Sequence, residues 1–324
     1  MVMEVSSHAL AQDRVFGIDF TVNVFTNLHH EHLDYHPTMD EYFETKSKLF
    51  CDDSGYANEA TAYVLNVDDP WGRKLASRAK NRGNVLSYGL SSTASVRAEN
   101  IHLHSQGITC TIRSSWGSTP LKTRLLGRFN VSNVLAAISA ANLLGIEERF
   151  VVGALNRFNP VPGRMEVIPN DRNLRIFVDY AHTEDALVNV LRTLQEIYSS
   201  RIIVVFGCGG DRDPAKRPRM GAAAVQWANE VVLTSDNPRS EDPNQILEEI
   251  KKGCGDADNV TCIVDRREAI EFALNLAESG EVVLIAGKGH ERVQEIGNLL
   301  VPCDDRTIVR DWLGPTCSTD LQMR

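Results

Sequence analysis

The second half of the chain alternates short apolar runs with helix-length amphipathic stretches, and this alternation restricts its fold more than any other feature. The apolar runs are Arg175–Val178, Ile202–Phe206, Val231–Thr234, Cys262–Val264 and Val282–Ala286. Between them lie Ala186–Tyr198, Gly221–Ala228, Gln245–Lys252 and Arg267–Glu278, which carry helical periodicity. Strands separated by helices at this spacing predict an α/β fold with a doubly wound parallel sheet. Ligands of such sheets collect beyond the carboxyl ends of the strands. Four predicted strand ends carry polar or glycine-rich clusters: Asp179-Tyr180-Ala181-His182, Gly207-Cys208-Gly209-Gly210-Asp211-Arg212, Ser235-Asp236-Asn237-Pro238-Arg239 and Gly287-Lys288-Gly289-His290-Glu291. One such cluster is an ordinary turn; four on one edge of a sheet make a site.

The stretch Phe158-Asn159-Pro160-Val161-Pro162-Gly163-Arg164 breaks both periodicities and predicts a boundary between domains 1–160 and 161–324. Just before it, Asn130–Leu144 reads as an Ala- and Leu-rich helix. With 324 residues, each half is long enough to bury a core of its own. No long uninterrupted apolar run occurs, so no membrane span is expected. The N-terminal residues have neither a basic n-region nor an apolar signal core. A net charge of -9 argues against non-specific nucleic-acid binding, which needs cations to neutralise phosphates. The seven cysteines are scattered without a C-x-x-C pair, which fits a reducing cytoplasm.

In the first half, the strand-like run ending at Phe25-Thr26-Asn27-Leu28 leads into His29, His30, Glu31, His32, Asp34 and His36. Clustered imidazoles and carboxylates suggest a metal- or phosphate-handling site, while any single one of these histidines reads as part of a polar loop. Zinc is poorly supported, because no H-E-x-x-H occurs. Thr38-Met39-Asp40-Glu41 is a capping box that starts a helix running to about Phe50. Its apolar face is Met39, Tyr42, Phe43, Leu49 and Phe50, with Lys46 in the middle and Lys48 opposite. A buried ammonium is costly unless it is paired or chemically altered. Lys46 therefore either snorkels to an edge, sits beside a carboxylate, or is a modified lysine.

The loop Gly207–Arg212 precedes a basic, proline-containing stretch and matches neither a dinucleotide-binding nor a Walker pattern. Glycine permits close backbone approach, and Arg212 offers a bidentate clamp for a carboxylate. With Asn237, Arg239 and Glu291 it forms a pocket of both charge signs, suited to a zwitterionic amino acid. Arg239 taken alone reads equally as a surface ion pair.

The ordered set Met3-Glu4-Val5-Ser6-Ser7-His8-Ala9-Leu10, Thr26-Asn27-Leu28 with His32-Leu33-Asp34-Tyr35-His36, Asn130-Val131-Ser132-Asn133, Val178–Thr183, Gly207–Arg212, Asp236–Arg239 and Gly287–Glu291 resembles the Mur ligases. It resembles in particular the branch that uses diaminopimelate. The resemblance implies a central ATPase-type α/β domain followed by a Rossmann-like, doubly wound C-terminal domain. It implies ATP-dependent amide synthesis through an acyl phosphate, joining meso-diaminopimelate to UDP-N-acetylmuramoyl-L-alanyl-D-glutamate in peptidoglycan precursor synthesis. A cytoplasmic monomer is implied as well. Residue by residue, the match gives Glu4 and His32 to magnesium and makes Lys46 a carbamylated lysine on the metal side. It gives Ser6, Gln12 and Arg14 to the UDP-muramoyl substrate, Asn130 and Asn133 to the nucleotide base, and Asp179 to the ribose of ATP. Arg212, Asp236, Asn237, Pro238, Arg239, Gly287 and Glu291 fall in the amino-acid pocket. The Asp-Asn-Pro-Arg tetrad resembles the version used for diaminopimelate, whose second carboxylate can pair with an arginine as lysine cannot. Glu31 stands where the family usually has Asp, and Glu184 where it usually has Pro.

No G-x-x-x-x-G-K-[ST] occurs in the sequence. A chain starting at Met1 is expected to lack the family's N-terminal domain, the first strand and helix of its central domain, and the backbone cradle for the β- and γ-phosphates. The competing reading is a non-catalytic binding or scaffold protein, but a scaffold has no physical need of Glu4, His32, Lys46 and Arg239. A folylpolyglutamate-type ligase is disfavoured by the tetrad. The 324-residue chain alone is expected to show negligible ligase activity. Formation of amide product by the purified chain, dependent on ATP and diaminopimelate, would refute this.

Overall fold

A computed structural model of the chain describes residues 1–29, 35–50, 55–58, 60–79 and 84–314. The chain divides into two compact units, Met1–Asn159 and Pro160–Arg324. In chain order the first unit contains α1 (Ser7–Ala11), β1 (Val22–Phe25), α2 (Met39–Ser47), a 3-10 turn (Lys48–Phe50), β2 (Ala62–Asn66) and α3 (Pro70–Arg78). It continues with β3 (Val85–Gly89), β4 (Val96–His104), β5 (Gly107–Ser114), β6 (Gly117–Thr123), α4 (Arg128–Leu143) and α5 (Glu148–Arg157).

Its strands form one sheet in the order β1-β2-β3-β4-β5-β6. Pairing is parallel from β1 to β4 and antiparallel from β4 to β6. The meander turns at glycine: a Cβ at Gly107, where φ is +136°, would overlap the Thr123 carbonyl oxygen. Helix α4 covers one face, with Val131, Val134, Leu135 and Ile138 packed on Val64, Tyr88, Val96, Ile108 and Ile112. A second cluster joins Phe25, Tyr63 and Leu65 to Tyr42 and Phe43 of α2 and Leu75 of α3. The predicted capping box forms, with Thr38 Oγ1 accepting from the Glu41 amide at 3.2 Å. The helix does not reach Phe50 as α-helix, because it tightens into the 3-10 turn after Ser47. Hydroxyls of Thr45 and Ser47 donate back to the carbonyls of Glu41 and Phe43, and such bonds compete with the helical ladder.

The second unit contains β7 (Glu166–Ile168), β8 (Arg175–Asp179), α6 (Glu184–Ile197), β9 (Ile202–Phe206), α7 (Lys216–Trp227), β10 (Glu230–Leu233) and α8 (Pro243–Cys254). It goes on through β11 (Val260–Cys262), α9 (Arg266–Leu276), β12 (Val282–Ala286), the hairpin β13 (Val293–Ile296) and β14 (Leu299–Pro302), and α10 (Asp305–Leu313). The sheet order is β11-β10-β9-β12-β8-β7. Strands β8 to β12 are parallel, and β7 is an antiparallel edge. Every residue of β9 and β12 is buried, as their unbroken apolar runs require in a sheet covered on both faces. Ile176, Val178, Ile203, Val205, Val283 and Ile285 point to one face, against Ile270 and Leu274 of α9 and Ile308 and Val309 of α10. Alternation turns the neighbouring strand residues to the other face, where α6, α7 and α8 lie side by side. Thr183, Asp242, Asp265 and Asp304 cap the helices that follow them. Glu184 takes the first position of α6, where an acid suits the helix dipole as a proline suits the fixed φ. Among the described residues no helix is long and apolar enough to cross a membrane.

A buried ion pair ties this sheet together. Arg266 and Asp305, 2% and 0% exposed, meet through two bonds of 2.7 Å. The same guanidinium donates to the carbonyl of Ala286 at 3.0 Å and to that of Ser235 at 3.4 Å. Burial alone would lower the Arg266 pKa, but the Asp305 carboxylate outweighs it and holds the pKa above its ordinary value. Removing one partner of such a pair leaves an uncompensated buried charge. Arg266→Met is expected to lower unfolding stability by about 3–5 kcal/mol, with Arg266→Met/Asp305→Leu recovering part of the loss. Urea denaturation checks this, and equal losses in the single and double variants would contradict it.

Candidate functional site

The carboxyl edge of the second unit's sheet is assembled by close backbone contacts that only glycine permits. A Cβ at Gly207 would overlap the Thr234 carbonyl, and one at Gly210 would overlap the Pro238 carbonyl. The loops after β9 and β10 can therefore lie against each other, joined by the Gly210 amide donating to the Asn237 carbonyl at 2.9 Å. Across the site, a Cβ at Gly163 would overlap the backbone at Gly289 and His290. The segment that breaks the periodicity in sequence thus packs against the loop after β12.

Three side chains interlock at the centre of this edge. The Asn237 Nδ2 donates to Glu291 Oε2 at 3.0 Å, and its Oδ1 accepts from Lys288 Nζ at 3.1 Å and from the Glu295 amide at 3.1 Å. Lys288 Nζ also donates to Glu291 Oε2 at 2.9 Å and to the Val293 carbonyl at 2.7 Å. Burial by itself raises the Glu291 carboxyl, but the bonds from Asn237 and Lys288 and the Lys288 charge hold it below its ordinary value. Tyr180 closes the side nearest β8, its ring beneath the Arg164 guanidinium at 4.6 Å and beside His182 and His290. Burial, followed by the Glu291 charge, pushes the Tyr180 phenol up.

Arg239 adopts φ of +53°, uncommon for a residue with a side chain and concentrated at functional sites. Its Nε donates to Glu295 Oε2 at 2.7 Å and its Nη1 to the Gly210 carbonyl at 2.7 Å. Its backbone also bridges to the β13–β14 hairpin, donating to the Glu295 carbonyl at 2.9 Å. It is thus a braced, half-buried cation that is ion-paired with Glu295. Asp236, 8% exposed, accepts from the Asn237 amide through Oδ1, while its Oδ2 is buried with no hydrogen-bond partner among the described residues. Gly287, at φ +112°, lies over that oxygen, 2.7 Å from where a Cβ would sit. Pro238 accepts at its carbonyl from the Glu241 amide at 3.0 Å, which holds the tetrad in its turn. Arg212 is exposed and donates to its neighbour's carbonyl at 2.9 Å. Asp179 is buried, with its two oxygens accepting from the amides of Ala181 and Met165 at 2.8 and 2.7 Å. Burial raises its carboxyl pKa against the pull of those two amides.

The same sheet edge carries two carboxylates, Asp236 and Glu291, and two guanidiniums, Arg212 and Arg239. Such a set can hold an ammonium group and a carboxylate at once. Lys288 and Glu295 are site residues that the motifs of the sequence do not single out. A lysine between two glycines straight after a fully apolar strand was the available signal for the first. Nothing local marks Glu295, whose role depends on the hairpin returning to β10.

In the first unit, Glu4 is exposed ahead of α1, and Ser6 caps that helix by accepting from the Ala9 amide at 3.1 Å. Gln12 and Arg14 are exposed and bond to each other, Nε to Oε1 at 2.9 Å. Asn133 donates to Asn130 at 3.0 Å, and Asn130 donates to the Leu126 carbonyl at 2.7 Å, both on the opening turns of α4. Lys46 is half-buried, one turn on from the buried Tyr42 and Phe43 of α2. Its Nζ lies 5.4 Å from the centroid of the Tyr42 ring. Lys48 is half-buried and opens the 3-10 turn that follows the helix. His32 and its neighbours Glu31 and Asp34 lie outside the described residues. His36 is buried and stacks on Tyr42, with centroids 5.0 Å apart, so its surroundings are aromatic. Among the described residues no group of three His, Cys, Asp or Glu is arranged to hold a metal ion.

Residues 1–141 match the Mur ligase middle domain, and residues 163–289 match the Mur ligase, glutamate ligase domain. A UDP-N-acetylmuramoyl-L-alanyl-D-glutamate--2,6-diaminopimelate ligase of Geobacter metallireducens is 46% identical over 94% of this chain and 63% of its own. The enzyme of the same name from Thermosynechococcus vestitus is 46% identical over 99% of this chain and 64% of its own. The chain thus spans somewhat under two thirds of these curated relatives. A solved structure of that name is 41% identical, covers 95% of this chain and 63% of its own, and superposes with a TM-score of 0.62. A MurF structure from Acinetobacter baumannii, only 17% identical, reaches a TM-score of 0.70 over 90% of this chain and 59% of its own and so shares the fold. The chain belongs to the Mur ligase family.

Proposed function

We propose that this chain is the amino-acid-adding portion of an ATP-dependent ligase that joins meso-diaminopimelate to UDP-N-acetylmuramoyl-L-alanyl-D-glutamate. The observation that carries this reading is the convergence of Asp236, Asn237, Arg239 and Glu291 on one sheet edge, where both charge signs are presented. Glu291 and the unpartnered oxygen of Asp236 are the acceptors for an ammonium group. Arg239, steered by Glu295, and the exposed Arg212 are the donors for carboxylates. Diaminopimelate has a carboxylate at each end and so uses both kinds of group, whereas lysine leaves one guanidinium unanswered.

In the reaction, the acceptor carboxylate attacks the γ-phosphorus of ATP and releases ADP. The free amine of diaminopimelate then attacks the acyl phosphate, and the tetrahedral intermediate expels phosphate. The protein's part is to hold the nucleophile in line and neutralise charge. Asn130, Asn133 and Asp179 are our assignments for the nucleotide, and Ser6, Gln12 and Arg14 for the UDP-muramoyl substrate. Glu4, His32 and a carbamylated Lys46 would be magnesium's side chains. A carboxylate, an imidazole and a carbamate form an oxygen-rich donor set of the kind a hard cation takes. Bound there, magnesium would supply charge neutralisation for the phosphates.

Arg239→Lys is expected to weaken diaminopimelate binding about tenfold or more while changing nucleotide affinity less than about twofold, because a point charge replaces a planar fork. Calorimetric titration with each ligand checks this, and equal losses for both would sink the assignment. In an enzyme that pairs this chain with a phosphate-binding loop, Lys46→Ala is expected to abolish turnover, with partial rescue by a small carboxylic acid. Undiminished turnover would remove the carbamate from the mechanism.

A further inference from the structure

The second unit contains an ammonium group that is 0% exposed and has no part in the roles assigned above. Lys288 is the second residue after β12 and lies between Gly287 and Gly289. A buried ammonium has three donors, and each must find an acceptor if the burial is to be tolerated. Lys288 finds three: Asn237 Oδ1 at 3.1 Å, Glu291 Oε2 at 2.9 Å and the Val293 carbonyl at 2.7 Å. Two of the three are side chains of the proposed diaminopimelate pocket.

This arrangement leaves Asn237 one orientation. Its Oδ1 faces the ammonium and the Glu295 amide, both donors, so its Nδ2 must face Glu291. A flipped amide would set N–H groups against both donors. Glu291 in turn accepts from Asn237 and Lys288 at the same oxygen, Oε2, and at 31% exposure its side chain remains an accessible anion. We propose that Lys288 is the positioning residue of the pocket, locking the Asn237 amide and the Glu291 carboxylate in the arrangement that presents an acceptor to a ligand's ammonium group. The proposal rests on the reading that this pocket takes an amino acid. Lys288 holds the Val293 carbonyl as a structural lysine would, but it also holds two facing pocket side chains, and removing it leaves the Glu295 amide alone to fix the Asn237 oxygen.

The test compares the 324-residue chain with Lys288→Met, a similar stem without the charge. Meso-diaminopimelate is titrated into each, thermal unfolding is followed, and the Glu291 carboxyl is titrated by carbon-13 NMR. The folded variant is expected to bind about tenfold more weakly or worse. Its Glu291 should titrate at higher pH than in the parent, because the ammonium that favours the ionised form is gone. The acid limb of the binding profile therefore moves to higher pH. An unmoved Glu291 titration in a folded variant overturns the proposal. If the parent binds no diaminopimelate yet Glu291 still moves, the substrate reading falls and the positioning role stands. If Lys288→Met does not fold, proton exchange of the Lys288 ammonium in the parent decides: slow exchange at neutral pH supports the proposal, and exchange as fast as that of a free lysine overturns it.

Discussion

The buried Arg266–Asp305 pair is the interaction on which the second unit depends most. One guanidinium at the start of α9 binds a carboxylate at the start of α10 and the carbonyls of Ser235 and Ala286. Those carbonyls belong to the residues just before Asp236 and Gly287. The two loops that carry most of the candidate site therefore leave the sheet from points held by the same cation. Carbonyls at the ends of parallel strands have lost their ladder partners, and burying them unpaired would be costly. Arg266 meets that need and fixes where the loops begin.

From those fixed points the site is shaped by contacts that tolerate no larger residue. Gly207, Gly210 and Gly163 bring backbone against backbone. Asp211 and Arg239 take left-handed conformations despite carrying side chains. Asp211 is held by Ser240, whose hydroxyl donates to it at 2.6 Å, and Arg239 by the hairpin. Strain of this kind persists only where the surroundings over-determine it. The arrangement of charge follows: Glu295 pairs with Arg239, and Lys288 steers Asn237 and Glu291.

The parallel sheet was legible because its strands are buried on both faces and so are written as unbroken apolar runs. Ile202–Phe206 and Val282–Ala286 are strands over the whole predicted span. The antiparallel meander β4–β6 was not read, since half-exposed strands such as Val96–His104 mix polar and apolar residues and depend on partners to register. The hairpin β13–β14 was missed for the same reason: its outer strand is exposed throughout. Lys46 shows the limit of periodicity. Helical spacing puts it on the face of Tyr42 and Phe43; the α-helix stops at Ser47, and although Leu49 and Phe50 still pack in the same cluster as those rings, Lys46 itself is only half-buried.

By itself the sequence determined the alternation of strands and helices, the boundary near Pro160, and which residue types gather at the strand ends, because burial and chain reversal leave local marks on composition. Only the tertiary structure decided how those residues are used. Arg239 against Glu295 spans 56 positions, and Asn237 against Lys288 spans 51. No local pattern encodes such pairings. They follow from strand order, which sets β12 beside β9 and brings the hairpin back to the loop after β10. The residues of the pocket could be read in order along the chain, but their orientation and charge state exist only once the sheet has brought them together.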